Sequence, residues 1–126
     1  MNQGMNYHDG EVIGLQISGK DISLTISLES ITHILILQNV FVFRADTFLE
    51  GNIILDTHIQ SVATINRDEL IENLGSLYQE GYINEVSIKQ CYEGNKVYFE
   101  LNPSYGCQIV AICDAVIEQE APTNLN

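Results

Sequence analysis

Asp21-Ile22-Ser23-Leu24-Thr25-Ile26-Ser27-Leu28 alternates residue by residue between polar and apolar side chains. That period of two is what a β-strand with one buried face requires. Upstream, Ile13, Leu15 and Ile17 alternate in the same way, and Ser18-Gly19-Lys20-Asp21 supplies turn-forming residues between the two runs. The pair reads as a hairpin. From His33 to Phe43 the apolar residues occupy both parities and are rich in β-branched and aromatic types. Such a stretch is sheet covered on both faces, either one central strand or two short ones. Gly51-Asn52 then opens a further strand, with Ile53, Leu55 and Ile59 on one face and Asp56, His58 and Gln60 on the other.

The β rhythm breaks once. Leu70, Ile71, Leu74, Leu77 and Tyr78 recur at spacings of one, three and four, which places them on one stripe of a helix. Asn66 is positioned to cap it, Asp68 and Glu69 sit near the positive end of its dipole, and Gly81 suits its C-terminal end. The spacing predicts a helix from Arg67 to Glu80. Beyond it Val86 and Ile88 return to strand alternation, and Glu93-Gly94-Asn95-Lys96 turns the chain into Val97, Phe99 and Leu101 as a second hairpin. Asn102-Pro103-Ser104-Tyr105-Gly106 reads as a loop, and Cys107 to Ile117, apolar on both parities, as a last and central strand.

These readings define an α+β, strand-dominated fold: a twisted antiparallel β-sheet with one main helix packed on a face. The 126 residues fit a single domain, with 1–8 and 118–126 expected to fray. The expected core is Ile22, Leu24, Ile26, Leu28, Leu35, Leu37, Ile53, Leu55, Leu74, Val97, Phe99, Ile109 and Ala111.

Seventeen carboxylates face five cations, Lys20, Arg44, Arg67, Lys89 and Lys96, for a formal charge of -12. A field of that sign repels phosphate backbones and anionic lipid, so neither nucleic acid nor membrane is an expected partner. The first ten residues lack a cationic segment leading into an apolar one, and no apolar run approaches the roughly 18 residues of a membrane span. Cys91, Cys107 and Cys113 are odd in number and form no CxxC, so they read as buried reduced thiols, and cytoplasm is the expected compartment.

Chemistry-bearing motifs are sparse. His8-Asp9 and Asp56-x-His58 hold metal-ligand residue types, and His33 stands apart, but the spacing matches no zinc signature. The chain has no GxSxG elbow, no phosphate loop, no dinucleotide fingerprint and no tryptophan. Binding without catalysis, cofactor or metal is therefore expected. What remains is charge placement. Asp68, Glu69 and Glu72 repel one another along the helix, Asp46 and Glu50 flank the turn before Gly51, and Glu80, Glu85 and Glu93 follow the helix. Asp46, Glu50, Glu69, Glu72, Glu80 and Glu93 are the candidate partner-binding residues. The competing reading is a solvated acidic face that only confers solubility.

Tyr7-His8-Asp9-Gly10-Glu11-Val12 leading into a strand, followed by Phe48-Leu49-Glu50-Gly51-Asn52-Ile53-Ile54, resembles small bacterial immunity proteins of polymorphic-toxin and contact-dependent growth inhibition systems. The resemblance implies a cytoplasmic protein that binds the C-terminal toxin domain of a cognate effector, commonly a basic nuclease, and covers its active site. It carries no catalytic residues with it. The alternative is another protein- or small-ligand-binding module without catalysis.

Overall fold

The computed structural model of the chain describes residues 6–120. Its strands are β1 (Glu11–Ser18), β2 (Asp21–Leu28), β3 (Ile31–Gln38), β4 (Val42–Asp46), β5 (Asn52–Ser61), β6 (Val97–Tyr105), β7 (Gln108–Cys113) and β8 (Ala115–Glu120). They form one antiparallel sheet in the order β4-β7-β6-β5-β1-β2-β3-β8. Between β5 and β6 lie a 3-10 turn (Val62–Thr64) and three helices, α1 (Arg67–Leu74), α2 (Ser76–Gln79) and α3 (Glu85–Glu93).

The connections force this sheet to curl. Only Asn39-Val40-Phe41 separates β3 from β4, and only Asp114 separates β7 from β8, yet the members of each pair lie at opposite ends of the sheet. Each pair is a long strand bent at a corner. The Phe41 N–H donates to Ile112 O (2.7 Å) and the Asp114 N–H to Gln38 O (2.8 Å), so the two bent strands stay paired through the bend. Corners of this kind carry strands between facing layers. The β4-β7-β6-β5 and β1-β2-β3-β8 halves accordingly share one core of Leu24, Ile26, Leu35, Leu37, Ile54, Phe99, Leu101 and Ile109. Burying Leu24, with no exposed surface, contributes roughly 2 kcal/mol.

A second core lies on the outer face of β4, β7 and β6. There Val42, Tyr98, Val110 and Ile112 meet Leu70 and Leu74 of α1 and Ile88 and Cys91 of α3. Strand β7 is thus buried on both faces, which explains why 107–113 is apolar at both parities. The single central strand expected from Cys107 to Ile117 breaks at Asp114, and residues 115–117 open β8 at the end of the sheet, where Ile117 is 40% exposed. All three cysteines are buried free thiols.

Several expectations need correction. Ile53 is only partly buried and Leu55 is 46% exposed, because pairing with β6 slips twice, between Ile53 and Ile54 and between Ile54 and Asp56. The extra residue reverses the parity, so Ile54 turns inward and Leu55 outward. Pro103, placed in a loop by sequence, sits at that bulge inside β6, a position where proline loses no ladder bond. A bulge between Val12 and Gly14 likewise turns Ile13 to solvent. Leu28 and Val97 pack at the margin of the core without being fully buried.

The expected helix Arg67–Glu80 ends at Leu74. The Gly75 N–H closes α1 on Ile71 O and Glu72 O, Arg44 Nη1 donates to Leu74 O (2.7 Å), and a separate turn, α2, follows. Val86 and Ile88 belong to α3, not to a strand. Asn84 caps α3 by accepting from Ser87 N (3.0 Å), and Ile88, Cys91 and Tyr92 follow helical spacing. One main helix is therefore replaced by three short ones. Of the tails expected to fray, residues 1–5 and 121–126 lie outside the described residues, but Tyr7 is 2% exposed and Glu118–Glu120 belong to β8.

Candidate functional site

The bent sheet places a polar strip on its outer face beside the helices. Strand pairing sets Asp56 opposite Asn102, His58 opposite Glu100, and Gln60 opposite Tyr98, all facing away from the β core. The next strands continue the rows, since Glu100 lies opposite Val110 and Val110 opposite Arg44, while Asp46 lies opposite Gln108. Side chains bond along the first row: Asn102 Nδ2 donates to Asp56 Oδ1 (2.9 Å), and Gln108 Nε2 donates to Asn102 Oδ1 (3.0 Å). Asn102 Nδ2 also reaches Glu100 Oε2 (2.6 Å), and the Tyr98 hydroxyl donates to Glu100 Oε1 (2.6 Å). Both oxygens of Glu100 are thereby oriented by donors. Burial, helped by the Glu100 carboxylate, pushes the Tyr98 hydroxyl far above its ordinary pKa, so it stays a donor.

Helix α1 forms the opposite wall. Its Glu69 and Asn73 face His58, Gln60, Tyr98 and Glu100 across a groove of about 300 Å³. Neither lysine nor arginine lines it. His58 Nε2 lies 3.2 Å from Asp56 Oδ1, so the Asp56-x-His58 pair that sequence marked as metal-ligand types is a side-chain contact along one strand face. His8 Nδ1 pairs in the same manner with Asp9 (3.4 Å). No group of three His, Cys, Asp or Glu side chains able to hold a metal ion gathers among the described residues.

The six sequence-predicted carboxylates divide by environment. Asp46 shares the outer sheet face with the groove, but its Oδ2 is held 3.0 Å from Arg44 Nε. Glu93 is paired with Lys89 (3.9 Å) at the end of α3. Glu50, Glu69, Glu72 and Glu80 are exposed and have no cation within ion-pair distance among the described residues. Of these four, Glu69 alone enters the groove, with Glu72 one turn further along α1. Glu50 sits in the β4–β5 turn and Glu80 just after α2, so the structure does not gather the six into one site.

No protein family, curated protein or solved structure matches this chain. The groove's chemistry must be read from its own residues.

Sequence reasoning missed Glu100 and Asp56 as members of the acidic face. The signal was present: in Val97-Tyr98-Phe99-Glu100-Leu101-Asn102 the residues between the core positions are Tyr98, Glu100 and Asn102, which must share the outer face. The cysteines offer no competing nucleophile. Burial raises Cys91 and Cys107 to about 11 and Cys113 to about 12, which keeps each a neutral thiol near pH 7.

Proposed function

We propose that this chain is a cytoplasmic immunity protein that binds and neutralises a basic toxin domain, and that the groove between α1 and the β5–β6 face receives a lysine or arginine of that partner. The observation that carries the reading is the imbalance of charge at the groove. Glu69 and Glu100 face a common space that neither lysine nor arginine lines, with the His58 imidazole beside them and Asp56 in the adjoining row. Elsewhere Arg44, Arg67, Lys89 and Lys96 are engaged by Asp46, Glu85, Glu93 and Asp114. Four of the five lysines and arginines are thus occupied, Lys20 of the β1–β2 turn being the exception among the described residues, and carboxylates are left in excess to attract the cations of another molecule.

The planar guanidinium suits this site. Glu100 is held with its oxygens oriented, and Gln60 and Asn73 supply further amide oxygens, so an arginine can be met by several acceptors at once. A toxin that binds nucleic acid carries such cations where phosphates dock, and occupying them blocks substrate. The same groove equally suits a small cationic ligand, which is the second reading.

Growth of cells making a basic toxin domain offered as the cognate partner tests the proposal. Wild-type protein is expected to restore growth, and a Glu69→Lys/Glu100→Lys variant that folds normally is expected not to. Full protection by that variant, or none by the wild type, contradicts the proposal.

A further inference from the structure

Strand β1 leaves one edge of the sheet open. It pairs with β2 along its whole length, but with β5 only at Glu11 and Val12. From Ile13 to Ser18 its second edge has no strand beside it among the described residues, and no backbone hydrogen bond outside the β2 pairing is made there. The hairpin geometry says which groups are free. Gly19 (φ 61) is the first central residue of a two-residue turn whose second, Lys20, has no positive φ, as in a type II′ turn. In such a hairpin the flanking pair, Ser18 and Asp21, exchanges hydrogen bonds, and alternation then aims the N–H and C=O of Leu15 and Ile17 away from β2.

Sheet edges are ordinarily protected by charge, proline or covering elements. The other two ends of this sheet follow that rule: β8 carries exposed Glu118 and Glu120, and short β4 is tied by Arg44 to the end of α1. Ile13-Gly14-Leu15-Gln16-Ile17-Ser18 has neither charge nor proline. Ile13 is 52% and Ile17 65% exposed. Beside the start of this edge, Asn52 binds Val12 O (3.4 Å) and the backbone of Leu49, presenting the exposed Phe48, Leu49 and Glu50.

We infer that the free edge of β1 is a docking site for an extended segment of the basic partner, which adds to the sheet as a further strand. The identity of that partner rests on the function proposed above. Backbone groups of Leu15 and Ile17 supply the hydrogen bonds, and the exposed aliphatic side chains supply apolar contact. Charge sets the class of segment. Glu11 opens the strand, Glu50 stands in the adjoining turn, and the whole chain carries -12, so a strand alternating apolar with basic residues is favoured over an acidic one or a second copy of this chain.

The test uses the full chain and an eight-residue synthetic peptide that alternates lysine and valine, followed by amide hydrogen exchange. The peptide is expected to slow exchange at Leu15 and Ile17 by about tenfold or more, since both amides become bonded. An Ile17→Pro variant removes one outward N–H while leaving the β2 pairing intact, and should abolish the effect. A peptide of the same charge with proline at alternate positions should leave wild-type exchange unchanged, which keeps the test valid should the variant misfold. Protection absent, or confined to another element, overturns the inference, as does sedimentation showing the edge already occupied in a dimer. Because the peptide replaces the toxin, the two proposals separate. A responsive edge in a chain that gives no growth protection retains the docking site and rejects the immunity function, and the converse rejects the docking site alone.

Discussion

Replacing Gly106 by alanine should destabilise the protein by roughly 3 kcal/mol. Gly106 has φ 92, a region that costs a non-glycine residue about 1 kcal/mol or more. Its added Cβ would also lie 2.5 Å from Asn52 Oδ1 and 3.1 Å from Asn52 Cα. Asn52 is 2% exposed, and its Oδ1 accepts from Cys107 N (3.1 Å) and Leu49 N (2.7 Å). Moving that amide aside leaves buried donors without partners, at a further cost of about 1–3 kcal/mol. In a chain of this size the total corresponds to a fall in Tm of roughly 10 °C. Gly19→Ala is the control, because Gly19 is also in the left-handed region (φ 61) but has nothing within 4 Å of its added Cβ. Urea denaturation of both variants separates backbone strain from the clash. Equal losses of stability would refute the role assigned to the Asn52 junction.

Four other outcomes are expected. Leu24→Asp places an unpaired carboxylate at a site with no exposed surface and should prevent folding, whereas a soluble variant with unchanged melting would contradict the β2 assignment. Asn84→Ala removes the cap of α3 and should lower stability by about 1 kcal/mol in the same denaturation assay. The Arg67 and Tyr78 hydrogen bonds hold Glu85 below its ordinary carboxylate value, and those from Lys96 and Asn39 do so for Asp114. Both folded pKa values are depressed, so their contribution is present above the unfolded values, about 4, and disappears as pH falls through the lower folded ones. Glu85→Gln should therefore show a shallower fall in urea midpoint with acidification than the wild type. Finally, with three buried thiols raised to about 11, 11 and 12, a disulfide reagent at pH 8 should label none quickly in the folded protein and all three in urea.

Where periodicity is unbroken, sequence and structure agree. The β2 pattern identified its buried face correctly because Ile22, Leu24 and Ile26 lie in a strand without irregularity. Alternation misled at Leu55 and Ile13 because each sits at a bulge, and a bulge leaves no mark in a binary pattern. Val86 and Ile88 suggested a strand because two residues cannot distinguish a period of two from a helical turn. Asn84 as cap and the Ile88, Cys91, Tyr92 spacing would have resolved it. The break at Leu74 falls at Gly75, whose φ of 56 leaves the helix, and the Leu74 carbonyl it exposes is met by Arg44, a residue of β4 distant in sequence. For the same reason the groove was only partly legible: Glu69 was marked by its helix, but β5, β6 and α1 converge through pairing and packing that no local pattern records.

The most direct test of the central claim is the association rate with the toxin domain measured against ionic strength, for the wild type and for Glu69→Lys/Glu72→Lys. Both side chains are exposed and unpaired with any cation among the described residues, and lysine matches glutamate in helix propensity, so the variant should fold with only a small loss from the first turn of α1. The account predicts a fast wild-type rate that falls steeply as salt shortens the screening length toward about 8 Å, and a slower rate in the variant with a weaker salt dependence. Identical rates for the two proteins, insensitive to salt, would contradict it and leave the acidity of this chain as a solubility trait.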